Sequence, residues 1–198
     1  MLAVFDLCGT LVRCNTLFAF TRWASRRNLY CWLGDSALAK VIDYLFPKLR
    51  FRRWLFLKAL RRFDIKELTF LSTVFCRDVL PRYVRQSAVS LLISLQEQGW
   101  TTVLISAAPD FLVREISRIF GFYEWKASEY KNGALTRDLT GNKITAIQEF
   151  APWDALYVAT DNKSDLTLLR KADYRRIYCG KNESWWIARF PNDEVFKD

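Results

Sequence analysis

The chain of 198 residues contains no histidine. That absence removes Ser-His and Cys-His nucleophilic chemistry, imidazole acid-base work and a common zinc ligand together. Cysteine is sparse: the five residues at positions 8, 14, 31, 76 and 179 are odd in number and form no CxxC pair. Neither a disulfide framework nor a zinc cluster is therefore expected, and reduced thiols in a cytoplasmic protein fit best. Long apolar runs are missing too. The best candidate, Leu29 to Phe46, is interrupted by Asp35, Lys40 and Asp43, and falls short of the ~20 apolar residues a membrane helix needs. The first apolar run meets Asp6 at once and carries no basic leader, so no signal peptide is expected. Internal repeats and low-complexity tracts are absent. Any catalysis must draw on carboxylates, lysine and a metal ion.

What the chain does have is hydrophobic content of 51% with 16% aromatics, enough for a real core in one domain of ordinary size plus a modest insertion. Its net charge of +9 is unevenly placed. Residues 14–85 carry 15 Lys/Arg against 5 Asp/Glu, while the other residues carry 15 against 16. The whole basic excess sits in one segment.

Hydrophobic periodicity separates that segment from its surroundings. Leu2 to Phe5 reads as a short buried strand that ends on Asp6. From Thr16 the spacing turns helical, with Leu17, Phe20, Thr21 and Ala24 on one stripe. Leu29, Trp32, Leu33, Ala37, Val41, Tyr44 and Leu45 continue it to Pro47, and a third helix is expected over Phe51 to Arg62. Asp64 followed by Glu67 is a capping-box variant opening a fourth helix through Leu80. Beyond Pro81 an amphipathic segment runs to Gln98 and stops at Gly99. Then strand and helix alternate. TTVLIS (101–106) reads as a buried strand, Pro109 opens a helix to Phe120, and Trp125 to Lys131 with Asn132-Gly133 predicts a hairpin. Lys143 to Phe150 is helical, ALYVAT (155–160) a strand, Ser164 to Lys171 a short helix and Arg176 to Cys179 a strand. Trp185, Trp186 and Phe190 suggest a terminal cover.

Alternation of this kind specifies an α/β protein, a Rossmann-like doubly wound parallel sheet with helices on both faces, interrupted after the first strand by an all-helical insert. The core is expected from residues 1–13 and 86–198, and the helical cap from 14–85. Ligands collect at the carboxyl ends of strands in such sheets, where Asp6, Ser106 and Asp161 lie.

Four motifs in order, FDLCGT around Asp6, ISAAP with Ser106, GNK with Lys143, and ATDNKSD with Asp161 and Asp165, resemble the haloacid dehalogenase superfamily. The helical insert and SAAPDFLVREI resemble its phosphoserine-phosphatase-like branch of phosphomonoester hydrolases. The resemblance implies that Asp6 is a nucleophile forming an aspartyl-phosphate, and that Mg²⁺ is held by Asp6, the backbone carbonyl of Cys8, Asp161 and Asp165. It also implies that Ser106 and the backbone at Ala107 bind phosphoryl oxygens, while Lys143 neutralises the charge shared by phosphate and nucleophile. Asp165 has a second possible role, orienting the lysine; Lys126, Lys131 and Lys163 stand as alternatives to Lys143. Dehalogenation by the same nucleophile suits the paired carboxylates less well than a metal-bound phosphate does.

Position 8 departs from the pattern. Most phosphatases of the family carry an aspartate there as general acid and base, a role worth ~10² to 10⁴ in rate. A thiol is a weaker acid and a weak hydrogen-bond partner, whereas its backbone carbonyl is unchanged. Metal and phosphate binding should persist while leaving-group protonation suffers. The expected function is an Mg²⁺-dependent phosphatase or phosphotransferase of reduced acid-base capacity; the alternative is a catalytically impaired phosphate-binding or regulatory protein that keeps the fold.

Between Phe46 and Phe63 the sequence FPKLRFRRWLFLKALRRF holds seven basic residues and no acid, interleaved with Phe, Trp and Leu. It reads as a solvated helix face, a segment docking on anionic lipid headgroups, a protein contact or, by charge alone, a weak contact with a nucleic-acid backbone; no nucleic-acid module is visible and no specific nucleic acid is expected. A small-molecule or lipid-linked phosphate is the expected substrate, with the protein cytoplasmic or peripheral at the inner face of the membrane.

Overall fold

Leu2, Ala3, Val4 and Phe5 form β1 (Leu2–Phe5), an unbroken apolar run because both of its faces are covered. Ala3 and Phe5 join one hydrophobic cluster, Leu2 and Val4 the other, as the two-residue period of a strand requires. The computed structural model describes residues 1–26, 28–193 and 195–197, with Lys181 described by its backbone only. Around β1 the sheet adds β2 (Thr101–Pro109), β3 (Glu124–Lys131), β4 (Ala134–Arg137), β5 (Leu156–Thr160), β6 (Tyr174–Tyr178) and β7 (Val195–Phe196). The strand order is β4-β3-β2-β1-β5-β6-β7, and every pair is parallel except the β3/β4 hairpin. Val4 stands between Val103 and Val158, so the strand bearing Asp6 is flanked on both sides.

Five helices lie between β1 and the next strand-bearing half: α1 (Thr16–Ala24), α2 (Leu29–Asp35), α3 (Ala37–Leu45), α4 (Phe51–Ala59) and α5 (Ile65–Asp78). After them come α6 (Gln86–Glu97), α7 (Asp110–Phe120), α8 (Lys143–Ile147), α9 (Leu166–Lys171) and α10 (Glu183–Ile187). The cluster on one face of the sheet continues without a break into α1, α4 and α5. Phe20 of α1 meets Phe75 of α5 edge-on at 5.5 Å and Phe111 of α7 at 5.6 Å. The helices are thus anchored to the sheet by shared burial.

Local signals act as their chemistry dictates. Asp64 and Glu67 form the reciprocal capping box of α5, and Gly121, at φ +70°, ends α7. Asn132 and Gly133 both have positive φ, which the tight β3/β4 turn demands. Trp186 is fully buried and packs with Phe190 in the second cluster, the terminal cover.

Several expectations need correction. The stripe from Leu29 to Leu45 is two helices, because Ser36 is extended at ψ 153° and its hydroxyl caps α3 by accepting from the Ala39 N–H. The break accompanies close packing of α2 on α4: a Cβ on Gly34 would come within 2.8 Å of the Phe56 ring. The fourth helix stops at Asp78, and α6 starts only at Gln86, after a 3-10 turn over Leu80–Tyr83. The strand expected to end at Ser106 runs on to Pro109, with its register against β3 shifting between Ile105 and Pro109; Pro109 is the N-cap of α7. β6 begins two residues earlier than expected, at Tyr174, and β7 was not foreseen. Among the described residues, no helix is long and apolar enough to cross a membrane.

Candidate active site

Asp6 is the first residue past β1, held by a backbone bond from its N–H to Ala159. Its side chain is 5% exposed. Oδ1 accepts from the Leu7 N–H at 2.7 Å and lies 2.8 Å from Lys143 Nζ. No partner engages Oδ2 among the described residues, so one carboxylate oxygen is anchored and the other available. Burial, and secondarily the charge of Asp165, push the Asp6 carboxyl up to about 6 against the pull of Lys143.

Lys143 opens α8 and is 3% exposed. It also donates to Asp165 Oδ2 at 2.7 Å, and that oxygen accepts from the Thr160 hydroxyl at 2.8 Å. Burial alone would favour the neutral amine, but Asp6 and Asp165 together more than offset it and hold the lysine charged, with its proton affinity raised. Of the two roles expected for Asp165, its contacts are those of a lysine-holding group. Of the alternative lysines, Lys126 pairs with Glu149, and Lys163 lies over the Trp185 ring at 4.7 Å.

Asp161 is set by the turn that carries Cys8, Gly9 and Thr10. Thr10 Oγ1 donates to Asp161 Oδ1 at 3.1 Å, and Gly9 has φ +84°. A Cβ on Gly9 would fall 1.9 Å from Asp161 Oδ2, so only glycine lets the carboxylate approach this backbone. Arg85 braces the same turn by donating to the carbonyls of Gly9 and Thr10, both at 3.0 Å. Burial, then the charge of Asp6, push Asp161 up to about 7.

The Cys8 thiol sits at the start of α1. Its sulfur lies 3.2 Å from Thr16 Oγ1 and accepts from the Thr16 N–H at 3.4 Å. Burial and the charge of Asp6 raise it to about 11, so it stays protonated at neutral pH. The Thr16 N–H and hydroxyl converge on this side chain, and both could donate to a carboxylate at this position. The Cys8 carbonyl accepts no hydrogen bond among the described residues.

Ser106 is 2% exposed and stands at the register shift of β2; its Oγ accepts from the Ala108 N–H at 3.1 Å, leaving its O–H free to donate. Asp6, Cys8, Ser106, Ala107 and Lys143 share the walls of one cavity of about 260 Å³. Arg50 and Arg53 line it from the helical segment. Both bind Asp138 Oδ2, at 2.8 and 3.0 Å, and Arg53 also donates to Thr140 Oγ1 at 2.6 Å and to the Ala107 carbonyl. Asp161 does not line this cavity. It borders a neighbouring recess with Gly9, Arg13 and Arg85.

Sequence reasoning missed Thr16 and Asp138; Thr160 lay inside the quoted ATDNKSD motif and Arg53 inside the basic stretch, in each case without the partner that gives it a role. Thr10 lay inside the quoted FDLCGT motif, and only its distant partner was hidden.

Among the described residues no three His, Cys, Asp or Glu side chains gather into a metal cluster. The donors present are two carboxylates whose proton affinity burial raises, Asp6 and Asp161, the second raised further by the charge of the first, and the Cys8 carbonyl, which has no hydrogen-bond partner among the described residues. An all-oxygen set carrying excess negative charge fits a hard cation such as Mg²⁺.

The chain belongs to the haloacid dehalogenase-like hydrolases, whose family model matches residues 3–170. Among solved structures it is similar to a protein of unknown function from Bordetella pertussis Tohama I, with 20% identity, TM-score 0.77, and 99% of this chain and 97% of that one covered. A phosphoserine phosphohydrolase-like protein from Francisella tularensis gives 13% identity and TM-score 0.66 over 100% and 95% of the two chains. A phosphoserine phosphatase in a phospho-aspartyl intermediate analogue gives 17% and 0.60 over 98% and 91%. At these identities the likeness is one of fold. No curated protein sequence matches the chain.

Proposed function

We propose that the protein is an Mg²⁺-dependent phosphomonoester hydrolase or phosphotransferase working through an aspartyl-phosphate on Asp6, with a lipid-linked or membrane-surface phosphate as substrate. The observation that carries this reading is the Asp6 carboxylate, anchored by one oxygen to Leu7 and Lys143 and facing a cavity that also holds the Ser106 hydroxyl. Free cysteines throughout accord with a cytoplasmic setting.

In the first step Asp6 Oδ2 attacks phosphorus, and the ester P–O bond breaks with its electron pair leaving on the departing oxygen. Ser106 O–H and the backbone around Ala107 hold phosphoryl oxygens, and Lys143 offsets the negative charge that Asp6 and phosphate bring together. Asp6, Asp161 and the Cys8 carbonyl would hold Mg²⁺, which when bound supplies further neutralisation of phosphate charge. In the second step water attacks the acyl phosphate, releasing inorganic phosphate and restoring Asp6.

Both steps want a proton carrier at position 8. A thiol raised to about 11 gives up its proton poorly and cannot serve as a base at neutral pH. Leaving groups that are stable as anions therefore turn over faster than alkoxides. A screen with Mg²⁺ over alkyl, aryl and lipid phosphates, on the native protein and Cys8→Asp, tests this. Cys8→Asp should gain about 10²-fold on alkyl phosphates, since Thr16 already offers two donors to a carboxylate there. The same thiol favours one other reading, a phosphate-binding protein with negligible turnover, and silence from both proteins across the screen would select it.

A further inference from the structure

We infer that α3 and the segment following it dock on an anionic lipid bilayer and hold the mouth of the Asp6 cavity at headgroup level. The docking stands on the surface alone; that the lipid carries the phosphate substrate rests on the phosphatase reading.

α3 buries one residue, Ala39. Leu38, Val41 and Leu45 share a helical face by their spacing and are 69%, 51% and 61% exposed. The apolar face of this amphipathic helix is thus turned to water, the reverse of the ordinary arrangement. Every residue from Tyr44 to Arg50 is exposed, including Phe46 and Leu49. On α2, which packs against α3, Trp32 is 70% exposed. Large apolar side chains exposed singly mean little, but this many on neighbouring elements mark a surface that meets something.

Charge selects the occupant. From Lys40 to Arg62 the chain has eight cations, Lys40, Lys48, Arg50, Arg52, Arg53, Lys58, Arg61 and Arg62, against one acid, Asp43. Lys48 and Lys58 meet no carboxylate at ion-pair distance among the described residues; Lys58 lies over the Trp54 ring instead. A second copy of the chain would bring like charges face to face. Anionic headgroups pair with the cations while the apolar residues enter the acyl boundary.

The surface joins the site through two arginines. Leu49 and Trp54 share a groove with Arg50 and Arg53, and those arginines line the catalytic cavity. Arg50, at φ +46°, and Arg53 are both held by Asp138. Their guanidiniums are taken up by Asp138, so docking falls to the lysines and apolar residues around them. A phosphate borne on a lipid headgroup would then reach the cavity without leaving the interface.

The test is flotation with vesicles of phosphatidylcholine alone and of phosphatidylcholine with an equal amount of phosphatidylglycerol. Hydrolysis of p-nitrophenyl phosphate in solution and of phosphatidic acid in the vesicles is assayed in parallel. The native protein should float with the anionic vesicles only, and less at high salt. Lys40→Gln with Lys48→Gln should weaken partition about 25-fold, at about fivefold per cation near an anionic surface. Phe46→Ser with Leu49→Ser should weaken it at least tenfold. Both changes lie on exposed side chains, and hydrolysis in solution should be unchanged.

Equal binding by native and variant proteins overturns the inference. So does a dimer that dissolves in Phe46→Ser/Leu49→Ser without any vesicle binding. Charge-dependent binding with neither substrate hydrolysed supports the docking and overturns the phosphatase reading.

Discussion

Asp161→Asn in the metal-free protein should raise stability, and the gain should grow with pH. Burial and the neighbouring charge of Asp6 push Asp161 up to about 7 in the folded chain, whereas an unfolded aspartate titrates near ~4. The folded state therefore binds the proton more tightly, so stability is full below about pH 4 and is lost as pH rises to about 7. Each tenfold in proton affinity is about 1.4 kcal/mol. The carboxylate meets some water, which trims the penalty to about 3 kcal/mol at pH 8.

Asparagine keeps an oxygen for the Thr10 hydroxyl and carries no charge. In a chain of this size about 3 kcal/mol corresponds to roughly 10 °C in Tm. The assay is urea and thermal unfolding with a chelator from pH 4 to 8, followed by the fluorescence of the eight tryptophans. Native and variant curves should coincide at the acid end and diverge above about pH 4. Adding Mg²⁺ at pH 8 should stabilise the native protein and leave the variant unmoved. A constant gap across pH, or a variant less stable at pH 8, would refute the claim that Asp161 is held against burial and the charge of Asp6.

Lys143→Met removes the cation between Asp6 and Asp165, all three side chains being 5% exposed or less. It should cost about 3 to 5 kcal/mol at pH 8, and less near pH 5 as Asp6, raised to about 6 by burial, takes up a proton; denaturant melts at the two pH values check it. Gly9→Ala would place a methyl 1.9 Å from Asp161 Oδ2. It should lower kcat/KM about 10²-fold, the scale expected of a misplaced site, while Ala substitution at Gly99, where a Cβ meets nothing, should leave kcat/KM unchanged.

What the sequence made legible was local in origin. The apolar β1 running into Asp6, the Asp64/Glu67 box, the Asn132-Gly133 turn and the Gly121 stop each follow from a few neighbouring residues. What stayed hidden depends on partners far along the chain. Ser36 breaks a continuous helical stripe where Gly34 must meet Phe56, and β2 outruns Ser106 because β3 offers it a partner at Ser128. Thr16 gave no signal, and Thr160 and Arg53 lay in stretches already singled out, ATDNKSD and the basic run from Phe46 to Phe63, without their roles, since a threonine or arginine shows its role only beside Cys8, Asp165 or Asp138. The cysteine at position 8 was plain from the start, but the cradle of donors around it was not.

The central claim is that Asp6 itself accepts the phosphoryl group. Acid-quenched protein taken during turnover of an aryl phosphate with Mg²⁺, digested and examined by mass spectrometry, tests it directly. The account predicts one added phosphoryl group on the peptide containing Asp6, abundant because Cys8 slows its hydrolysis and abolished in Asp6→Asn. Turnover that survives Asp6→Asn with no phosphorylated peptide would contradict it.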